Sequence, residues 1–268
     1  MPELPEVETI KRDLKRFILD KRIVSVEVLD ERVLNNCKPV DLARGVSGRT
    51  IQKVFRRGKA VILELTGPRF LMIQPKMTGQ LIYGAQDKSS KVRFKLSDQN
   101  YLNYNDQRLF GRISLWLDQN ESSFLNSLGP EPLGKDFSTR WLKENLRQRT
   151  IPIKTLLLNQ NFVAGIGNIY ASEILFRAKV SPRRRACSLR VTEIAALYEQ
   201  TRKVLQEAIA WRGTSMRNYI DASGHKGNFM SRIKVYGCEG ELCPVCRSPI
   251  KRIVQNARST FYCRRCQK

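Results

Sequence analysis

Four cysteines near the end of the chain constrain it more than any other feature. Cys243-Pro244-Val245-Cys246 is separated by sixteen residues from Cys263-Arg264-Arg265-Cys266. Two C-x2-C pairs at that distance supply a tetrahedral thiolate set for zinc. Four thiolates leave no open coordination position, so one structural zinc ion is expected. Between the pairs, residues 250–255 and 259–262 read as two short strands around a turn near Asn256-Ala257. The hairpin would present Arg258, with Lys251, Arg252, Arg264 and Arg265 nearby, which suits phosphate contact. The remaining cysteines, Cys37, Cys187 and Cys238, read as small buried residues. An odd total of seven, four of them clustered, argues against a secreted disulfide framework.

Charge narrows the partners. The 268 residues carry 48 Lys and Arg against 25 Asp and Glu, a net charge of +23. That excess calls for a polyanion, and nucleic acid is the commonest. A membrane surface is the alternative, but no stretch reaches the apolar length of a spanning helix, and the acidic start does not resemble a signal peptide. An intracellular, soluble protein is expected. Histidine occurs once, as His225, followed by Lys226 and Gly227. This excludes a zincin helix and a zinc deaminase, so acid–base work would fall to carboxylates, lysines or an amine.

The pattern along the chain changes once. Residues 22–115 read mostly as strands, at 23–28, 50–55, 60–65, 70–73, 92–96, 101–104 and 113–116. Turn signals and the lack of intervening helices point to an antiparallel sandwich. After the Gly129-Pro130-Glu131-Pro132 cluster the period is helical, over about 139–148, 153–159, 169–178 and 192–211. Residues 213–230 are weakly patterned and expected to be mobile.

Of four further motifs, three are open to two readings each. Met1-Pro2-Glu3-Leu4-Pro5-Glu6 starts a helix with two acids on one face. It is either a capped helix start or, once Met1 is removed, a secondary amine flanked by carboxylates. Lys154 with Gly165-Ile166-Gly167-Asn168 is either a phosphate-holding interhelical turn or an ordinary helical hairpin. Arg56-Arg57-Gly58-Lys59 is a basic turn that fixes Lys59 at a strand edge. Met77-Thr78-Gly79 and Arg108-Leu109-Phe110-Gly111 hold either wedges for a base stack or plain core residues.

Together, and in this order, these motifs resemble the formamidopyrimidine-DNA glycosylase / endonuclease VIII family over essentially the whole chain. Pro2-Glu3-Leu4-Pro5-Glu6-Val7-Glu8-Thr9 is similar to the formamidopyrimidine branch, since the other branch usually has Gly where Leu4 stands. The resemblance implies an α+β fold in three parts. Residues 1–130 would form a catalytic antiparallel β-sandwich flanked by helices. Residues 135–230 would form a helix-two-turns-helix domain with a lesion-capping loop, and 231–268 a zinc-finger hairpin. DNA would run in the cleft between the two main parts.

The implied activity is a monomeric glycosylase and abasic-site lyase that removes oxidised purines from damaged double-stranded DNA and then cleaves the strand by β,δ-elimination. Pro2 would be the nucleophile, Glu3 the proton donor, Lys59 a phosphate contact and proton-transfer aid, and Glu6 the support of the N-terminus. Lys154, Asn168 and Arg258 match the phosphate clamp. Met77, Arg108 and Phe110 match the gap-filling residues, and Arg217 lies in the capping loop. Cys243, Cys246, Cys263 and Cys266 match the zinc ligands. A bacterial cytoplasmic, nucleoid-associated location is implied. Two departures bear on lesion preference: Gln74-Pro75-Lys76-Met77 replaces the usual His-Leu-x-Met, and Met230 replaces a Gln. The rival readings are a relative preferring oxidised pyrimidines and a non-catalytic damaged-DNA binder.

Overall fold

Alternating apolar residues between 23 and 116 pair into two antiparallel sheets in the computed structural model of the protein, which describes residues 1–216 and 219–268. The first sheet runs β1 (Ile23–Val28), β6 (Val92–Leu96), β7 (Tyr101–Asp106), β5 (Gly79–Gly84). The second runs β2 (Ile51–Arg57), β3 (Ala60–Leu65), β4 (Arg69–Gln74), β8 (Arg112–Trp116). Leu63, Leu71 and Ile73 from the second sheet share one core with Leu81, Phe94 and Leu102 from the first. Helix α1 (Leu4–Ile18) packs on β2 and β3 and adds Val7, Ile10, Leu14 and Ile18 to that core. Their spacing of three and four residues gives the helix one apolar stripe. The other side of the second sheet, at Ala60, Ile62 and Met72, is covered by Phe124 and Leu125 of α3 (Ser123–Ser127).

Strand β5 and helix α2 (Pro39–Val46) lie outside the sequence expectation. Glycines bound β5 at both ends, which reads as turn rather than strand. Pro39 begins α2, and Asp41 accepts the Lys38 N–H at 3.2 Å, an N-terminal signal visible only at short range.

The second unit is built on α4 (Thr139–Leu146), α5 (Ile153–Leu158), α6 (Asn168–Arg177) and α7 (Val191–Ala210), with the hairpin of β9 (Lys251–Gln255) and β10 (Arg258–Tyr262). These elements fall within two residues of where the sequence period puts them. Phe176 of α6 packs with Val235, Ile250 and two of the clustered cysteines. Glu173 on the same helix is fully buried and accepts the N–H groups of Lys234, Val235 and Tyr236 at 3.0, 2.9 and 2.9 Å. Burial pushes the Glu173 carboxyl above its ordinary range, while the three donors pull it back.

Residues 211–230 pack with 1–126, and the other unit comprises 127–210 with 231–268. A charged staple holds the 211–230 segment to α1. Arg212 donates to Asp13 and to Asp221, both at 2.6 Å, and both acids are buried. The Tyr83 N–H on β5 also donates to the Ala222 carbonyl at 3.0 Å. The segment expected to be mobile is therefore pinned at several points. Among the described residues, no helix is long and apolar enough to cross a membrane.

Candidate functional site

The first turn of α1 is buried despite its charge. Pro2 is buried, and Glu3 and Glu6 are 4% and 2% exposed. Glu3 caps the helix, and its N–H donates to Glu6 Oε2 at 2.7 Å. Glu6 Oε1 accepts the Thr214 N–H at 2.7 Å, and the Tyr219 hydroxyl donates to the Glu6 carbonyl at 3.4 Å. Gly213 makes this approach feasible. Its φ is +79°, and a β-carbon there would sit 2.7 Å from Glu6 Oε1. One carboxylate thus fixes the backbone beside Pro2 and the root of the 211–230 segment. Replacing Glu6 by Ala should strand two buried N–H groups, costing on the order of 1–3 kcal/mol each. Urea unfolding would read this as a lowered midpoint with an unchanged slope.

The turn carrying Lys59 is tied to the same helix. Arg56 on β2 donates to Glu8 of α1 at 3.2 Å and to the Gly58 carbonyl at 2.8 Å. Glu8 also accepts from Lys11 at 2.7 Å and Arg12 at 2.9 Å. Burial works against the Glu8 carboxylate, yet these cations hold its pKa below the ordinary value. Lys59 is half-buried immediately before β3, as its strand-edge position implies.

Met77, Arg108 and Phe110 converge at the ends of two neighbouring loops. Arg108 Nη1 lies 3.5 Å from Met77 Sδ, and its guanidinium carbon sits 4.6 Å from the Phe110 ring centroid. Met77 is 40% exposed and Phe110 46%, which removes the plain-core reading. Of the unusual residues just before them, Gln74 and Pro75 are buried. Lys76 adopts a left-handed backbone, φ +52°, with its ammonium 5.7 Å from the Phe124 ring centroid. Burial and the nearby Arg112 lower the Lys76 pKa. Met230 is exposed.

In the second unit, Lys154, Asn168 and the zinc hairpin form one cluster. Lys154 is 1% exposed, and its ammonium donates to Asn168 Oδ1 at 2.6 Å, Thr260 Oγ1 at 2.7 Å and the Ser259 carbonyl at 3.1 Å. Asn168 Nδ2 donates to the same Ser259 carbonyl at 2.9 Å. Arg258 adjoins Ser259 on β10 and is exposed. Lys154 therefore holds the start of α6 against the hairpin. Asn168 is half-buried, and its amide nitrogen also lies 3.5 Å from the Tyr236 hydroxyl.

The Sγ atoms of Cys243, Cys246, Cys263 and Cys266 all lie within 4.8 Å of one another. Cys243 and Cys266 are 3.8 Å apart, and Cys246 and Cys263 are 3.4 Å apart. A tetrahedral zinc–thiolate set has sulfur edges of about 3.8 Å, so the residues fit zinc. Cys187 is exposed, and Cys37 and Cys238 are half-buried, contrary to the buried reading. Arg217 lies outside the described residues. Arg56, Glu8 and Thr78 stand inside motifs visible in the sequence, but the supporting bonds that they, Asp106 and Thr214 make were not visible there. Their partners lie 28 to 208 positions away for the three bonds Thr78–Asp106, Arg56–Glu8 and Thr214–Glu6.

Three family models match the chain. They describe a formamidopyrimidine-DNA glycosylase N-terminal domain at residues 1–113, a formamidopyrimidine-DNA glycosylase H2TH domain at 128–219, and a zinc finger found in FPG and IleRS at 240–268. A formamidopyrimidine-DNA glycosylase of Chloroflexus aggregans is 43% identical, covering 100% of this chain and 98% of its own. The crystal structure of a Lactococcus lactis FPG mutant with DNA containing Fapy-dG aligns with TM-score 0.93, at 35% identity and 100% of both chains. That of MutM (FPG) from Thermus thermophilus aligns with TM-score 0.90, at 37% identity, over 99% of this chain and 98% of that one.

Proposed function

The chain belongs to the formamidopyrimidine-DNA glycosylase family, and from that premise we propose a reaction centred on Pro2. The protein is a base-excision-repair DNA glycosylase and abasic-site lyase, acts on oxidised purines in damaged double-stranded DNA, and carries one structural zinc ion. The observation that carries the mechanistic reading is the buried first turn, where Pro2 adjoins two buried carboxylates whose backbone is locked by Glu6.

The target nucleotide must leave the stack, because its C1′ is out of reach inside a duplex. With Met1 removed, the neutral Pro2 nitrogen attacks C1′. The N–C1′ bond forms as the bond from C1′ to the base breaks; the base leaves with that electron pair and takes up the proton that the Pro2 nitrogen sheds. Glu3 then gives a proton to the ring oxygen, the C1′–O bond opens, and a cationic iminium remains on Pro2. That iminium is an electron sink. Loss of a C2′ proton expels the 3′ phosphate, a second elimination expels the 5′ phosphate, and water frees Pro2. Lys59 contacts a phosphate near this centre. Asn168 and Arg258 grip the backbone, with Lys154 holding the two together. Met77, Arg108 and Phe110 fill the gap left by the flipped nucleotide and face the opposite base. Zinc supplies only the brace of the hairpin. The work is done on chromosomal DNA, in the bacterial cytoplasm at the nucleoid.

Substrate class is tested by single-turnover excision from matched duplexes carrying an oxidised guanine or an oxidised thymine. Faster release of the guanine lesion is expected, and faster release of the thymine lesion would favour the pyrimidine-preferring reading. Binding should weaken steeply with salt, with log K falling by about 0.9 per phosphate contact for each decade of salt.

A further inference from the structure

The two gap-filling loops are separate in sequence, yet they share one support. Asp106, 1% exposed at the end of β7, has both carboxylate oxygens engaged. Oδ1 accepts the Thr78 hydroxyl and the Arg108 N–H, the latter at 3.3 Å. Oδ2 accepts the Gly111 N–H at 2.7 Å and the Tyr104 hydroxyl at 3.3 Å. Thr78 belongs to the Met77 loop, and Arg108 and Gly111 flank Phe110. Thr78 Oγ1 also accepts the Arg108 N–H at 3.1 Å. A single buried carboxylate with one hydroxyl therefore closes a bridge from the first loop to the second.

Beneath the bridge there is no slack. A β-carbon on Gly111 would lie 1.6 Å from the Tyr104 hydroxyl and 2.9 Å from the Gln74 carbonyl. One on Gly79 would lie 2.4 Å from the Pro75 carbonyl and 2.8 Å from the Tyr104 hydroxyl. Tyr104 is fully buried, and burial beside Asp106 drives its hydroxyl pKa up, so it stays a proton donor to that carboxylate. Each loop also holds a non-glycine residue in the left-handed region directly before its exposed apolar side chain. These are Lys76, φ +52°, before Met77, and Leu109, φ +56°, before Phe110. Such conformations persist only where the surroundings over-determine them. Leu109 packs on the sandwich core while Phe110 and Arg108 turn outward. The strained residues and the four-donor carboxylate are parts of one device.

We infer that Asp106 and Thr78 are positioning residues that lock Met77, Arg108 and Phe110 into one rigid wedge, so that the two loops enter the base stack as a unit. This rests on the reading of those three residues as gap-fillers. Neither Asp106 nor Thr78 touches the reacting atoms. Loosening the bridge should therefore impair only the step that needs an intact stack and an opposite strand.

The test compares Thr78→Val, Thr78→Ser, Asp106→Asn and Phe110→Ala in the full zinc-loaded protein. The substrates are an oxidised-guanine duplex and a single strand carrying a preformed abasic site, which has no stack to fill. Thr78→Val and Asp106→Asn should slow duplex excision roughly 10–100-fold, the scale of a misplaced functional group. Cleavage of the single strand should be unchanged, and Thr78→Ser should restore the duplex rate. Thr78→Val removes one hydroxyl and leaves the Asp106 carboxylate its three other donors, so it decides the matter even if Asp106→Asn does not fold. Phe110→Ala separates the two readings. If it leaves duplex excision intact, the gap-filling premise is wrong. If it slows duplex excision while Thr78→Val and Asp106→Asn do not, or if those variants slow both substrates equally, the shared-support inference is overturned.

Discussion

Replacing Glu3 by Gln is expected to slow release of the oxidised base by about 10²–10⁴-fold, the usual contribution of a positioned acid–base group. The substitution keeps the shape of a side chain that is 4% exposed. It also spares the bond from the Glu3 backbone N–H to Glu6, because that donor is not part of the side chain. Folding and DNA binding should therefore persist, with the loss confined to the chemical step. Single-turnover excision measured beside affinity for an uncleavable abasic analogue would separate the two. A rate within a few-fold of the unaltered enzyme would remove Glu3 from the proton-donor role.

Removing zinc is expected to have the second large effect. Structural zinc binding contributes about 10–16 kcal/mol to folding in small finger modules. Cys263 is fully buried, and its Sγ lies 3.4 Å from that of Cys246. Cys263→Ser, or a strong chelator, should unfold the hairpin of β9 and β10. That loss spreads to Lys154, because its acceptors Thr260 Oγ1 and the Ser259 carbonyl belong to β10. Hydrogen bonds to a charged group contribute about 1.5–3 kcal/mol each, so the joint between α5, α6 and the hairpin should fail with the metal. Duplex binding should collapse, and whatever binding is left should show a shallower salt slope. Metal-free protein that binds duplex DNA with the same affinity and slope would contradict the clamp.

Much of this was legible in the residues. The C-x2-C pairs marked the metal site, since spacing alone brings four thiolates together. The period change after residue 128 separated strands from helices because side-chain periodicity is a local property. What the sequence could not carry was pairing over distance. Glu6 reads as a helix cap, and it is one, but its second oxygen serves Thr214, 208 positions away. That bond, with the Arg212 bridge between Asp13 and Asp221, packs residues 211–230 with the sandwich. The turn holding Lys154 was open to a phosphate-holding or a plain helical reading, and its bonds to a strand 105 and 106 positions on were not visible in it. Met77 and Phe110 are of types more often found in a core, and only the fold shows them exposed. Strand β5 escaped because its glycine ends imitate turns.

The central claim is that the nitrogen of Pro2 forms the covalent bond to the sugar. Borohydride reduction during turnover on an oxidised-guanine duplex, followed by mass mapping of the trapped peptide, tests it most directly. The account predicts one adduct per active chain, at Pro2, in protein lacking Met1, and none where Met1 is retained. An adduct at Lys59 or another lysine, or excision without any trapped species, would contradict it.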